Sequence, residues 1–286
     1  MTNYLHKVLP PQYSHVNKVY CLLAATVFCA LPLCSTEAAA ENILKYDGTT
    51  NIHGNAKTWA AKNEYDGIDI RVTGVDGGYY TDTTEALVLN NQTLNVKGKG
   101  KFVSIINTAQ NKQIDNNGGI YAKGGSTVNF TDVDSIYIAA IAGKEGGNDS
   151  TVISAKDPGR DFKGYTNIVN ISGNTVQLIG SIDVMHSLGS VFFNRNARHT
   201  VNAALSGSDS FWYGSAIGET DERTTVNLSL ADGATWIFNA GKSTLNAGGI
   251  IRNLKLDKGV VLFADAEVWE TYRKTVIKGT DYVLAN

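Results

Sequence analysis

The chain has 286 residues, of which 25 are basic and 27 acidic, a formal net charge of −2. That balance lacks the basic excess with which a nucleic-acid-binding surface neutralises phosphates, so no nucleic-acid partner is expected. Glycine occurs 29 times against 4 prolines and 2 methionines, and Asn, Thr, Ser and Asp fill the gaps between short apolar runs, which predicts strands and turns rather than long helices.

At the N-terminus Lys7 and Lys18 precede an apolar run over residues 19–33, and Glu37-Ala-Ala-Ala40 follows it. A charged start, a short apolar centre and a small-residue end form the layout of a secretory signal peptide over residues 1–40. The apolar run is shorter than the ~20 residues that span a bilayer as a helix. Ala38 and Ala40 are the expected signal-peptidase recognition residues, with the cut between Ala40 and Glu41. Pro32 and the alanines argue against the alternative of an uncleaved anchor, and the bulk of Leu33 argues against lipoprotein processing at Cys34. Cleavage would remove Cys21, Cys29 and Cys34, all 3 cysteines of the chain. The exported remainder, residues 41–286, would then hold together without disulfides, on its core alone.

Residues 41–85 carry turns and aromatics (Tyr46-Asp-Gly, Trp59, Tyr65-Asp-Gly, Tyr79, Tyr80). They are read as an irregular N-terminal cap with the first coils of a repeat array, because the exposed end of such an array must be covered.

Over residues 86–263 one phrase recurs: Thr93-Leu-Asn-Val96, Thr127-Val-Asn-Phe130, Ile168-Val-Asn-Ile171, Thr200-Val-Asn-Ala203 and Thr225-Val-Asn-Leu228. Successive copies lie 34, 41, 32 and 25 residues apart. After a turn, a second apolar strand is expected at Lys101-Phe-Val-Ser-Ile105, Ser135-Ile-Tyr-Ile138, Thr175-Val-Gln-Leu-Ile179, Ser210-Phe-Trp-Tyr213 and Ala234-Thr-Trp-Ile-Phe238. A third, glycine-led strand precedes several copies, as in Gly119-Ile-Tyr-Ala122 and Gly214-Ser-Ala-Ile217. The run from Gly249 to Phe263 is read as continuing the series without the Asn phrase.

A constant phrase with variable spacing fits a solenoid, whose strand register stays fixed while its loops differ in length. Alternation turns Val128 and Phe130 one way and Thr127 and Asn129 the other, so one face is apolar. The expected fold is therefore all-β, a right-handed parallel β-helix in which each strand stacks on its counterpart in the next unit. The repeated Asn either forms a ladder of amides or simply marks strand ends and turns. Residues 264–286 contain Trp269, Tyr272 and Tyr282 and are read as a C-terminal edge, with residues 268–275 either one helical turn or an edge strand. The absence of an obvious polar cap there suggests a chain cut from something longer.

The stretches Thr225-Val-Asn-Leu-Ser-Leu-Ala-Asp-Gly-Ala-Thr-Trp-Ile-Phe238 and Ile251-Arg-Asn-Leu-Lys-Leu-Asp-Lys-Gly-Val-Val-Leu-Phe263 resemble the passenger repeats of bacterial autotransporters. The likeness covers about residues 87–263. It implies an exported passenger domain of a diderm bacterium, at the cell surface, on the outer membrane or secreted, serving as an adhesin or surface scaffold. Its implied partners are host surface glycans or proteins and an outer-membrane translocator barrel. These 286 residues depart from the family in lacking the series of ten-residue amphipathic strands of that barrel.

Parallel β-helices also carry polysaccharide lyases and glycosidases, the competing expectation. Such chemistry needs a carboxylate pair, or an acidic calcium site with a basic proton acceptor. The candidates are Asp132 with Asp134, Asp66 with Asp69, the Glu219, Asp221, Glu222 group, and Arg195 with Arg198. All lie in turn-rich segments where solvated charges are ordinary, so no catalytic residue is expected. His6, His15, His53, His186 and His199 show no metal-ligand spacing, no Gly-x-Ser-x-Gly elbow is present, and Gly143-Lys-Glu-Gly-Gly147 follows no strand-to-helix transition. No metal or cofactor is expected. Contact elements are placed in the insertions 107–117 and 143–163. Tyr165 and Phe211-Trp-Tyr213 are candidate sugar platforms, with Trp212 better suited to the core.

Overall fold

A computed structural model describes residues 42–50, 63–74, 84–109, 117–141, 151–156, 164–184, 196–218, 223–238 and 251–263. The expected signal segment with Ala38 and Ala40, and the C-terminal edge 264–286, lie outside the described residues. Every regular element among the described residues is a β-strand. In chain order these are β1 (Ile43–Thr50), β2 (Gly67–Gly74), β3 (Thr84–Asn90), β4 (Thr93–Lys97), β5 (Phe102–Ala109) and β6 (Asn117–Lys123). There follow β7 (Thr127–Ile141), β8 (Thr151–Ala155), β9 (Thr166–Ile179), β10 (Ser181–Asp183), β11 (Arg198–Ser206) and β12 (Phe211–Gly214). The last are β13 (Ala216–Ile217), β14 (Thr224–Ala231), β15 (Thr235–Phe238), β16 (Asn253–Asp257) and β17 (Val260–Phe263).

The strands form two sheets. The 12-stranded sheet runs β1-β2-β5-β7-β9-β11-β14-β16, with β4 beside β7, β12 beside β9 and β15, and β17 beside β15; the 5-stranded sheet runs β13-β10-β8-β6-β3. All pairings between these strands are parallel. Neighbours in a sheet are not neighbours in sequence, because parallel pairing requires a long return path.

The phrase copies stand in strict register. Leu94, Val128, Val169, Val201 and Val226 form one buried column. Val96, Phe130, Ile171, Ala203, Leu228 and Leu254 form the next, none more than 3% exposed. Full burial of a side chain of this size contributes roughly 1.5–3 kcal/mol. Leu87, Leu89, Ile120, Ala122, Ile153 and Ile182 of the smaller sheet join the same apolar cluster. On the larger sheet, Trp212 and Trp236 stack at 5.0 Å and 7°, and Trp236 meets Phe238 edge-on at 5.5 Å. Gly214 lies close under this stack, where an added Cβ would fall 2.1 Å from the Gly180 carbonyl oxygen.

Several features were not legible from the phrase alone. Parallel pairing begins earlier than the phrase, with β1 on β2 and β2 on β5. The turn expected after Phe130 is a bend within β7: Asp132 takes φ 58°, and register with β9 slips between Phe130 and Val133. Asp tolerates the left-handed region through its short polar side chain. Part of the expected insertions is strand: Asn107 ends buried in β5, Asn117 opens β6, and β8 occupies Thr151–Ala155. The short run Val152-Ile153 was hidden by the polar residues around it, yet it pairs between β6 and β10.

Candidate functional site

The outward side of the phrase carries an uninterrupted amide ladder. The Nδ2 of Asn129 donates to Asn95 Oδ1 at 2.9 Å. Asn170 donates to Asn129, Asn202 to Asn170, Asn227 to Asn202 and Asn253 to Asn227, each at 2.7 Å. Asn95 closes the ladder on the Asn63 carbonyl at 3.1 Å. Of the two readings of the repeated Asn, the ladder is the one that holds, and Asn253 extends it into a copy that lacks the rest of the phrase. Parallel register explains the geometry, since equivalent side chains in adjacent strands recur about every 4.8 Å. Each link uses one amide hydrogen and one carbonyl lone pair, so every Asn keeps one further donor and acceptor. Thr93, Thr127, Ile168, Thr200 and Thr225 flank the ladder on one side. Lys97, Thr131, Ser172, Ala204, Ser229 and Lys255 occupy the other. The result is an outward strip rich in hydroxyls and amides, interrupted by Ile168 and Ala204, with Lys97 and Lys255 at its ends and the exposed Asp132 beside Ser172.

A second polar column points inward at the residue just before each phrase: Gln92, Ser126, Asn167, His199 and Thr224. Ser126, Asn167 and His199 are fully buried. The Gln92 N–H donates to Ser126 Oγ at 3.2 Å, and that hydroxyl donates to the Lys123 carbonyl at 2.6 Å. Asn167 Oδ1 accepts from the Gly125 and Ser126 N–H groups at 2.9 and 3.0 Å, and its Nδ2 meets His199 Nδ1 at 3.1 Å. The chain bends at Gly124 and Gly125, and the Ser126 and Asn167 side chains satisfy backbone amides of Gln92, Gly125 and Ser126 that have no partner in the sheet ladder. The column's one signal in the sequence is the polar residue that precedes all five phrases.

The proposed acidic sites do not converge. Asp66 pairs with Lys101 at 3.2 Å, whereas Asp69 pairs with Arg71 at 3.5 Å. Asp132 and Asp134 both point outward, and Asp134 is engaged in the fold: its Oδ2 accepts the Gly100 N–H at 3.0 Å and its Oδ1 the Asn174 amide at 3.4 Å. Asp134→Ala is expected to destabilise the protein by about 0.5–1.5 kcal/mol, read as a shift in the urea midpoint, by uncapping the Gly100 turn. Arg198 is exposed on β11. Arg195, Glu219, Asp221, Glu222, His6, His15, His53 and His186 lie outside the described residues. Among the described residues no three His, Cys, Asp or Glu side chains gather in a way that could hold a metal ion. A buried acid that the sequence reading passed over, Asp183, is held by Lys156 at 2.7 Å on the smaller sheet.

A shallow depression of about 260 Å³ opens beside β1 and β2, lined by Lys45, Tyr46, Asp47, Asp69 and Arg71. Opposite charges sit side by side there, Lys45 against Asp69 and Asp47 against Arg71. Trp212 is 0% exposed and belongs to the core, as its alternation predicts, while Phe211 and Tyr213 turn outward and are half-buried. Tyr137 shares the outward row of Phe211, with Gln177 between them.

Burial raises the Tyr137 phenol above its ordinary value of 10.0. The folded state thus favours the neutral phenol, and this contribution is complete below the unfolded-state value and lost as the pH rises through the folded-state one. Tyr137→Phe is expected to lose stability less steeply than the wild type between about pH 9 and 11, measured by urea unfolding. Equal slopes would remove Tyr137 as a source of alkaline sensitivity.

No protein-family model matches this chain, and comparison with curated proteins and with solved structures finds no match either.

Proposed function

We propose that this chain is an exported surface domain of a diderm bacterium: a right-handed parallel β-helix of autotransporter-passenger type that acts as a stalk or adhesive scaffold rather than a catalyst. The observation that carries this reading is the registered stack of parallel strands tied along its outside by the Asn ladder. Such a stack supplies stability unit by unit, needs no disulfide, and presents a long strip rich in amides and hydroxyls. A strip of this chemistry suits contact with neutral, hydroxyl-rich partners such as host surface glycans. The outward aromatics Tyr137, Phe211 and Tyr213 add ring faces that stack on sugars.

Produced from its own start codon in a diderm bacterium, the protein is expected to leave the cytoplasm with Glu41 as its new N-terminus and to bind neutral glycans on an array without cleaving them. Retention in the cytoplasm with the N-terminal segment intact would refute export. Release of new chain ends from a panel of acidic and neutral glycans would replace the scaffold with a lyase or glycosidase.

A further inference from the structure

Of the five residues in the inward polar column, only His199 titrates near neutral pH. It is fully buried on β11, between Asn167 of β9 and Thr224 of β14. Asn167 has a single workable orientation, because its Oδ1 accepts two backbone N–H groups at 2.9 and 3.0 Å. Turning that amide over would set its own hydrogens against two donors. Its Nδ2 therefore faces His199 Nδ1, at 3.1 Å. An amide nitrogen only donates, so Nδ1 must supply a lone pair and the ring proton must sit on Nε2. An imidazolium has no lone pair to offer at either nitrogen.

We propose that His199 is an acid-sensitive latch: the side-chain link from β11 to β9 and on to the Gly125 bend holds while the ring is neutral and loosens when it takes up a proton. Neither response of the column to a proton avoids a loss. If Asn167 stays in place, its Nδ2 faces an N–H; if it turns, the Gly125 and Ser126 amides lose their acceptor.

Among the described residues, the ionisable groups on the elements packed about His199 are Arg198, Arg223, Lys123, Tyr165 and the Lys156–Asp183 pair. The Arg223 carbonyl accepts the His199 N–H at 2.8 Å. The one acid of this set, Asp183, is engaged by Lys156 at 2.7 Å.

In the unfolded chain an imidazole takes up its proton near pH 6.5. Below that pH the unfolded state binds more protons than the latched state, so stability falls with acidity. The limit is about tenfold in the folding equilibrium constant per pH unit.

The test is urea unfolding of the full-length chain at pH 8, 7, 6 and 5, for wild type and His199→Asn. Asparagine can accept the same bond and does not titrate. The wild-type equilibrium constant is expected to fall relative to the variant below about pH 6.5, by up to tenfold per unit. The contributions of the other histidines cancel in this difference. A difference that stays flat with pH overturns the latch. Independently of whether the variant folds, long-range proton–nitrogen NMR of the wild type at pH 7 should find Nδ1 of His199 unprotonated. A proton on Nδ1, or a ring that titrates while the native spectrum is unchanged, also overturns it.

Discussion

Trp236→Ala is expected to lower the unfolding free energy by about 3–5 kcal/mol, the cost typical of emptying a large buried aromatic site. The Trp236 ring is 0% exposed and lies flat against Trp212 at 5.0 Å, with Val261 the next residue in register and Phe238 edge-on. Its indole N–H donates to the Gly214 carbonyl at 3.0 Å, a bond that alanine cannot replace. Close approach of backbone at Gly214 and Gly180 leaves little freedom for the surroundings to collapse into the vacated space. Trp236→Phe keeps the stacked ring and gives up the N–H bond, so it should cost less than half as much. Equilibrium urea unfolding followed by far-ultraviolet circular dichroism distinguishes the two variants. A loss below about 1 kcal/mol for the alanine variant would mean that the two rings do not share a packed column.

Asn170→Ala is the second large effect, expected to cost about 1–2 kcal/mol, because it leaves two partners unpaired at once. Asn129 Oδ1 loses its donor and Asn202 Nδ2 loses its acceptor, each from a 2.7 Å bond on a half-buried face. Asn253→Ala breaks only the exposed terminal link and should cost clearly less. The double variant Asn129→Ala, Asn170→Ala should lose less than the sum of the two single losses, since the link between them is counted in both. Additive losses in a double-mutant cycle would show that the amides act independently and that the ladder is only a coincidence of register.

Apolar alternation within each phrase was enough to separate core from surface. Val128 and Phe130 are buried while Thr127 and Asn129 face outward, as their order in the chain requires. The same parity carries Trp212 inward between Phe211 and Tyr213. The polar residue before every phrase also has inward parity, but one polar side chain among many draws no notice until backbone donors are seen converging on it.

By itself the sequence determined the all-β character, the inward and outward faces of each strand, and the recurrence of one unit along the chain, because these depend on residue type and on a period of two. Stacking of the phrase copies followed from their recurrence, whereas the tertiary structure alone decided pairings outside the phrase, such as β1 on β2, β2 on β5, and β8 between β6 and β10. It also decided that Asn253 completes the ladder, that Asp134 caps a turn while Asp66 and Asp69 take separate partners, and that His199 accepts from Asn167. The reason is physical: alternation is local, whereas a hydrogen bond between side chains requires two backbones to be set side by side, and loops of variable length hide that register from any linear spacing.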